Sequence, residues 1–574
     1  MPNLKKQADG STTAEGFDRT DTHAVKEKLL NYFKVKDFNE LRKLFLHQPR
    51  EFLARLKKMP SENKMEYGLL LQTLASFLSP RFEKVLRILA ERRNLDYYEL
   101  LRGKLNIKNP CYEIYKIVMK YDVKNEEFYN PKHLDFFVIP PLYVKKLGKL
   151  YFVVNPETGR WIIVDNLDPL TEQHYSTVFS PQDVVVGDTM YIRKDLIDKK
   201  TRDYLSKLEK AGVINKRQQY SFEVKPVELD IVVNTSCNMA CKYCYEKNIQ
   251  QVPMNLKAVN TTVTKLMNKF PSIRRVLFFG GEPLLSMYEI MDLVYHPLIQ
   301  IKEKHIQTNL TLLNEEIAKF LKFHKFKIGV SLDGKKKRNR LRVFKNGNPS
   351  YEKVMKNIEL LKKHGLGFGL LSVLHKYNVK FYDAMKWVEE IGAGSIHFNI
   401  EWGKYKATPN QMFNFFKQTF EDYVNNDYNF RYSTLIWMIE GLLVDPSERS
   451  LMCSRNPCGA GTAHIAVNPD GTVSPCPELW FIKSDVEHMI YDFRDVYCLF
   501  KDQVCKDNPY RNIAVCCPGK NYYVNKDMRK PVKEMKEFHD LIYPWLANKL
   551  INDKNYLKVF KKWKSRPVQI TRVK

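Results

Sequence analysis

Three cysteines, Cys237, Cys241 and Cys244, stand in the run CNMACKYCYE, immediately after the apolar stretch ELDIVVNTS. The spacing C-x3-C-x2-C puts three thiols on one short loop, and the stretch before it has the composition of a buried strand. A fold that uses this loop must therefore hold it at the end of a strand with all three sulfurs turned to one point. Iron–sulfur cubanes take cysteine thiolates, normally four, so three ligands leave one iron open for chemistry. A structural zinc knuckle would want a fourth Cys or His close by, and no His lies between Pro226 and Tyr295.

The loop begins a long alternation. Residues 228–405 carry the strand candidates LDIVVNT, RVLFFGG, HIQTN, KIGVSLDG, FGLLSVL and SIHFNIE, separated by amphipathic helical stretches such as YEKVMKNIELLKKHG. Strand–helix alternation implies βαβ units and a parallel sheet. Ahead of it, residues 1–22 read as a polar tail and 23–130 as a helical accessory domain, with apolar positions recurring at helical spacing. Residues 133–220 turn to strands around a hairpin at Asn155-Pro156-Glu157-Thr158-Gly159 and then to the helical TRDYLSKLEKAGVIN. Residues 406–450 form a helical linker, 451–520 a cysteine-bearing segment, and 521–574 basic helices in which Tyr556, Phe560 and Trp563 mark an apolar face.

Particular residues recur where the strands end. Gly280-Gly281-Glu282-Pro283 follows the second strand, and its glycines admit close backbone approach and unusual φ values. Thr308-Asn309-Leu310-Thr311-Leu312-Leu313 follows the third. Ser331-Leu332-Asp333-Gly334 follows the fourth, with Arg342 a short distance on, and Ser372 ends the fifth. With the cysteine loop, these elements resemble the radical S-adenosylmethionine (SAM) enzymes. The resemblance implies a partial (β/α)6 barrel and a [4Fe–4S] cluster held by Cys237, Cys241 and Cys244. SAM would chelate the open iron and be cleaved reductively to a 5′-deoxyadenosyl radical. It also implies SAM contacts from Tyr243 beside the adenine, from the backbone of Gly280, Gly281, Glu282 and Pro283, from Ser331 and Arg342 at the carboxylate and ribose, and from Ser372 at the ribose. Leu310 departs from the family, which carries Gly there.

Beyond the barrel, Cys458 and Cys476 stand in a C-x12-G-x4-C pattern around the turn Asn468-Pro469-Asp470-Gly471, which should bring the two together. The pattern is similar to the SPASM extension, whose members carry auxiliary iron–sulfur clusters. Cys453 offers a third thiolate and Cys516 or Cys517 a fourth. Cys498, Cys505 and the remaining member of the pair fall one short of a second full set. Either a second cluster has an open or non-cysteine ligand, or those cysteines are structural. Sulfatase-maturing members carry Asp directly after the residue matching Cys476. Pro477 occupies that place here, and Glu478, one residue further, is the acid–base candidate.

The 574 residues imply several domains. No apolar run reaches the length of a membrane-spanning helix. Eleven cysteines at ligand-like spacings point to metal centres in a reducing compartment, and the expected location is the cytoplasm. The charge of +28 is spread widely and reads mostly as solvated surface. Residues 133–220 resemble the winged-helix-like module with which peptide-modifying radical SAM enzymes hold a precursor by adding its strand to a sheet edge. The expected activity is therefore an oxidative crosslink, thioether or C–C, in a ribosomally made precursor peptide. A flavodoxin or ferredoxin would supply electrons. Modification of RNA or of a folded protein, and a non-catalytic iron–sulfur scaffold, are the alternatives.

Overall fold

The computed structural model describes scattered residues between 27 and 55, then 136–171, 185–186, 189–194, 197–215, 222–246, 251–502, 504–505 and 507–564. The expected tail, most of the helical accessory domain, and Cys111 lie outside the described residues. In chain order the first strands are β1 Phe136–Ile139, β2 Tyr143–Leu147, β3 Leu150–Val154, β4 Trp161–Val164, β5 Val185–Val186 and β6 Thr189–Arg193. They are followed by β7 Glu228–Asn234, β8 Arg275–Gly280, β9 Glu303–Thr308, β10 Lys327–Ser331, β11 Phe368–Leu374, β12 Ser395–Ile400, β13 Arg431–Tyr432, β14 His464–Val467 and β15 Val473–Ser474.

The chain divides into two compact units, one of residues 1–141 and 167–207, the other of 142–166 and 208–574. In the first, β6 pairs antiparallel with β1 on one side and β5 on the other. In the second, β2, β3 and β4 form an antiparallel meander, and nine strands form one sheet in the order β13-β12-β11-β10-β9-β8-β7-β14-β15. Within 133–220, β2–β4 fall in the second unit and β1, β5 and β6 in the first. Pairing of β1 with β6 across some fifty intervening residues is a long-range choice that local turn signals do not reveal. The barrel, the cysteine segment and the C-terminal helices likewise fall within one unit.

Strands β7 to β12 run parallel in sequence order, which is the (β/α)6 arrangement that alternation implied. β7 is buried along nearly its whole length, as a parallel strand covered on both faces should be. Crossover helices start where polar side chains satisfy their first N–H groups. Asn255 accepts from Ala258 N at 3.1 Å, and Asn314 from Ile317 N at 2.8 Å. Thr408 and Gln411 form a reciprocal capping box at the helix Pro409–Asn425. The hairpin between β3 and β4 closes where expected, through Asn155 N to Arg160 O and Gly159 N to Asn155 O, both 2.9 Å. Gly159 has φ +67° and presses on the Asn512 backbone, which a Cβ there would strike. Asn512 in turn donates to the carbonyls of Pro156 and Glu157 at 2.8 and 2.7 Å.

After β9 the chain keeps a left-handed turn although the glycine is gone: Leu310 has φ +63°. Its carbonyl accepts from Asn357 at 2.7 Å, and its side chain is fully buried. A left-handed non-glycine residue costs about 1–2 kcal/mol, whereas removing a buried leucine costs about 2–5 kcal/mol. Burial wins. Leu310→Gly is therefore expected to lower stability by about 1–3 kcal/mol, read as a lower denaturant midpoint than wild type in parallel titrations. A raised midpoint would mean that backbone strain outweighs burial at this position.

Candidate functional site

The loop leaving β7 brings Cys237, Cys241 and Cys244 together at the C-terminal end of the parallel sheet, where barrels of this kind gather their functional groups. Cys244 N donates to Cys241 O at 3.0 Å, and Met239 N reaches Cys237 Sγ at 3.4 Å. The loop is laced to the segment after β10 by Ala240 N to Val343 O at 2.8 Å and Lys242 N to Leu341 O at 2.9 Å. Burial, and then neighbouring negative charge, pushes the Cys237 thiol up to about 11 and Cys244 up to about 12. Without a cation these would be three neutral thiols crowded together. A metal centre supplies the charge that makes them thiolates, so the donor set fits an iron–sulfur cluster with one iron left open.

Two glycines fit the chain beneath this loop. A Cβ on Gly280 would strike Asn234 O, and one on Gly281 would strike Ser236 O. The backbones instead bond, Gly281 N to Asn234 O at 3.0 Å and Glu282 N to Ser236 O at 2.9 Å. Glu282 is wholly buried. Its carboxylate accepts from Thr308 Oγ1 at 2.5 Å, Leu284 N at 3.1 Å and Asn309 N at 2.7 Å. That side chain braces β8 to β9, so the GGEP turn offers a ligand its backbone more than its carboxylate. Pro283, buried, opens the short 3-10 turn Pro283–Ser286.

At the ends of β10 and β11 a buried polar knot forms around Asp333. The Tyr243 hydroxyl donates to Asp333 Oδ2 at 2.6 Å, Arg342 Nη1 donates to the Tyr243 hydroxyl oxygen at 2.7 Å, and Val373 N donates to Asp333 Oδ1 at 3.0 Å. Arg342 Nη1 lies 3.8 Å and His375 Nε2 3.7 Å from the Asp333 carboxylate. Burial works to raise Asp333, yet His375, Arg342 and Tyr243 hold it below the ordinary carboxylate range. Tyr243 thus spends its hydroxyl on Asp333, with its ring 5.9 Å from that of His375. Among the described residues Arg342 Nε is buried with no hydrogen-bond partner, whereas His375 Nε2 faces Asp333. An unpaired guanidinium donor beside the cysteine loop suits a carboxylate, which is the group SAM brings. Ser331 closes β10, half-buried. Ser372 is fully buried and donates to Leu332 O at 2.5 Å. Sequence reasoning does not single out Asp333, although it stands in the Ser331–Gly334 motif, and it misses His375, whose only signal is its place next to a strand end in LLSVLHKYN.

The second cysteine centre is built by Cys453, Cys458, Cys476 and Cys517. Every pair of the four lies within electrostatic reach of each other. Burial, and then Cys517, pushes the Cys458 thiol up to about 12. The turn at Asn468–Gly471, closed by Asn468 N to Thr472 O at 2.8 Å with Gly471 at φ +82°, joins β14 to β15 and so carries Cys476 back beside Cys458. The fourth thiol is Cys517, at the start of the helix Pro518–Asn525. Cys516, one residue earlier, forms a disulfide with Cys505, and Cys498 sits exposed on the helix Met489–Asp502. Cys505 and Cys516 thus stand paired with each other, and Cys498 is exposed. Between the two centres, Glu246 feels Glu478 and neighbours Cys244, while Glu478 neighbours Cys453, Cys476 and Cys517. Tyr245 and Tyr523 pack there at 4.9 Å, and Trp480 Nε1 donates to the Tyr523 hydroxyl oxygen at 3.0 Å. Glu246 ends the cysteine run CNMACKYCYE, a position that by itself assigns it no role.

Residues 231–388 match the family model described as the radical SAM superfamily. An uncharacterized protein of Methanocaldococcus jannaschii is 33% identical over 177 residues, 30% of this chain and 62% of that protein. The chain thus spans under two thirds of that relative's length. A protein named cysteine-type anaerobic sulfatase-maturating enzyme, from Clostridium perfringens, is 28% identical over 276 residues, 42% of this chain and 72% of that one. The solved structure of anSMEcpe with bound AdoMet and the Cp18Cys peptide is 23% identical, with TM-score 0.48, over 57% of this chain and 99% of that chain. Among the described residues no helix is long and apolar enough to cross a membrane.

The two thiol sets predict iron content. Anaerobic reconstitution should load about eight irons per chain, two four-iron clusters. Cys517→Ala should fall to about four, and Cys498→Ala should stay at about eight. About twelve irons in wild type would return Cys498, Cys505 and Cys516 to cluster ligation.

Proposed function

We propose that this chain, which carries a radical SAM domain, modifies a ribosomally made peptide or a protein segment by radical hydrogen abstraction. When bound, the [4Fe–4S] cluster and SAM of such a domain supply the 5′-deoxyadenosyl radical. Cys237, Cys241 and Cys244 would hold the cluster. The glycine pair leaves bare backbone for close approach, and Arg342 would take the carboxylate of SAM through its unpaired Nε donor. The observation that carries the reading is the Asp333 knot. It ties the cysteine loop, through Tyr243, to the ends of β10 and β11, and so holds Arg342 near Cys237 and Cys241.

Cys453, Cys458, Cys476 and Cys517 would hold an auxiliary cluster that removes an electron or binds the peptide. Glu246 and Glu478 lie between the two centres, placed to accept the proton lost when a substrate radical is oxidised. The net reaction we infer is an oxidative crosslink, thioether or C–C, with a flavodoxin- or ferredoxin-type protein as electron donor. Formylglycine formation is the less suited outcome, because Pro477 has no ionisable group. The meander β2–β4, with β2 and β4 as its edges, is the proposed place for an extended peptide to add a strand.

The test is the release of 5′-deoxyadenosine by the reconstituted chain with SAM and a strong reductant. Arg342→Lys keeps a charge but loses the planar fork. Hydrogen bonds to charged groups are worth about 1.5–3 kcal/mol, so SAM affinity should fall by about ten- to a hundredfold at unchanged iron. SAM binding and 5′-deoxyadenosine both equal to wild type would remove Arg342 from the cradle.

A further inference from the structure

The chemistry described so far lies at one end of the parallel sheet. At the other end, where β7 begins, Glu228 and Asp230 are two residues apart and so project from the same side of the strand. β14 runs parallel beside it with His464 opposite Glu228 and Ala466 opposite Asp230. One donor atom from each of Glu228, Asp230 and His464 lies within 4.8 Å of the others. Asp230 is 3% and His464 7% exposed. Among the described residues, Asp230 Oδ1 and His464 Nε2 are buried with no hydrogen-bond partner. The strand pairing has brought together two carboxylates and an imidazole, and Asp230 and His464 keep bonding capacity that the described chain leaves unused.

We propose that Glu228, Asp230 and His464 bind one divalent transition-metal ion, zinc in the first instance, which rivets β14 to β7. His464 Nδ1 and Asp230 Oδ2 are 3.4 Å apart. A charge-assisted hydrogen bond would close to about 2.7–2.9 Å. Two ligands held about 2.0–2.2 Å from a tetrahedral ion stand about 3.3–3.5 Å apart. The second oxygen of Asp230 is free to join the same ion. Arg275, whose Nη1 is 2.8 Å from Glu228 Oε2, offsets one carboxylate from the rim, which leaves the other to be balanced. One imidazole with two carboxylates, and no thiolate, is a donor set for zinc or manganese more than for an iron–sulfur centre. The competitor for the site is a proton. Burial works against a charged imidazole, but Asp230 and Glu228 still pull His464 above its ordinary range.

The ion would have a structural task. His464 opens β14, which runs in sequence between Cys458 and Cys476, whereas β7 leads into the radical-SAM cysteine loop about 20 Å further along. Fixing one strand to the other fixes the two centres in register. Such a rivet serves the enzyme whichever bond it forms.

The test uses the full chain after iron–sulfur reconstitution, so that the thiol sites are filled. The protein is equilibrated with zinc alone, passed over a chelating resin, and analysed for zinc and iron by mass spectrometry. About one zinc per chain is expected, and Asp230→Asn and His464→Gln should each lose it at unchanged iron. Manganese alone, followed by loss of its free-ion magnetic resonance signal, should titrate the same site in wild type, at least tenfold more weakly in either variant. Absence of zinc and manganese from the wild type would overturn the proposal whether or not the variants fold. So would zinc retained equally by both variants, because the metal would then lie elsewhere.

Discussion

A single buried carboxylate organises the cofactor end of the sheet. Asp333 has no exposure, and an isolated ion there would be too costly to keep. It survives because the Tyr243 hydroxyl and the Val373 amide donate to it, while Arg342 and His375 stand within ion-pair range. Those partners come from the cysteine loop, the segment after β10 and the end of β11. Each element is held where it is because Asp333 must be satisfied. Removing one partner of a buried charge costs far more than the bond it made, so the knot is cooperative.

Glu282 does similar work one strand away. Its carboxylate collects Thr308, Asn309 and Leu284, and thereby sets the ends of β8 and β9 against each other. The glycines before it cannot carry a side chain without striking the chain that leads into the cysteine loop. The floor of the cradle is thus bare backbone, and its walls are braced carboxylates. Leu310 shows how much strain this packing tolerates: it holds a glycine's conformation because its own burial is worth more than the strain.

Much of this was legible from residue patterns. Strand–helix alternation pointed to a parallel sheet, the resemblance added the barrel, and the C-x3-C-x2-C loop announced itself by position. The Asn468–Gly471 turn predicted that Cys458 and Cys476 would meet. What escaped were relations between residues far apart or adjacent. Asp333 and His375 matter through a network spanning residues 243–375, which no local window contains. Cys516 and Cys517 are neighbours of identical chemistry, and only the start of the helix Pro518–Asn525 decides which one turns toward Cys453. Ser372 read as the end of a strand, whereas β11 runs on to Leu374 and the serine hydroxyl donates to Leu332 O. Within 133–220 the turns are local and legible, whereas the β1–β6 pairing across it is not.

The two ends of the sheet follow one electrostatic logic with different solutions. At the C-terminal end, buried carboxylates are matched by an arginine, a tyrosine and backbone amides, and the thiols suit an iron–sulfur cluster. At the N-terminal end, Glu228 has Arg275 at the rim, but Asp230 and His464 keep unpaired atoms in the interior. Burying a polar atom without a partner costs about 1–3 kcal/mol, and a fold does not place two side by side without return. β14 is the strand through which the auxiliary thiols join the barrel, and it meets β7 over only four register pairs. A short contact that must fix the distance between two metal centres is a place where a third, purely structural ion is worth its ligands.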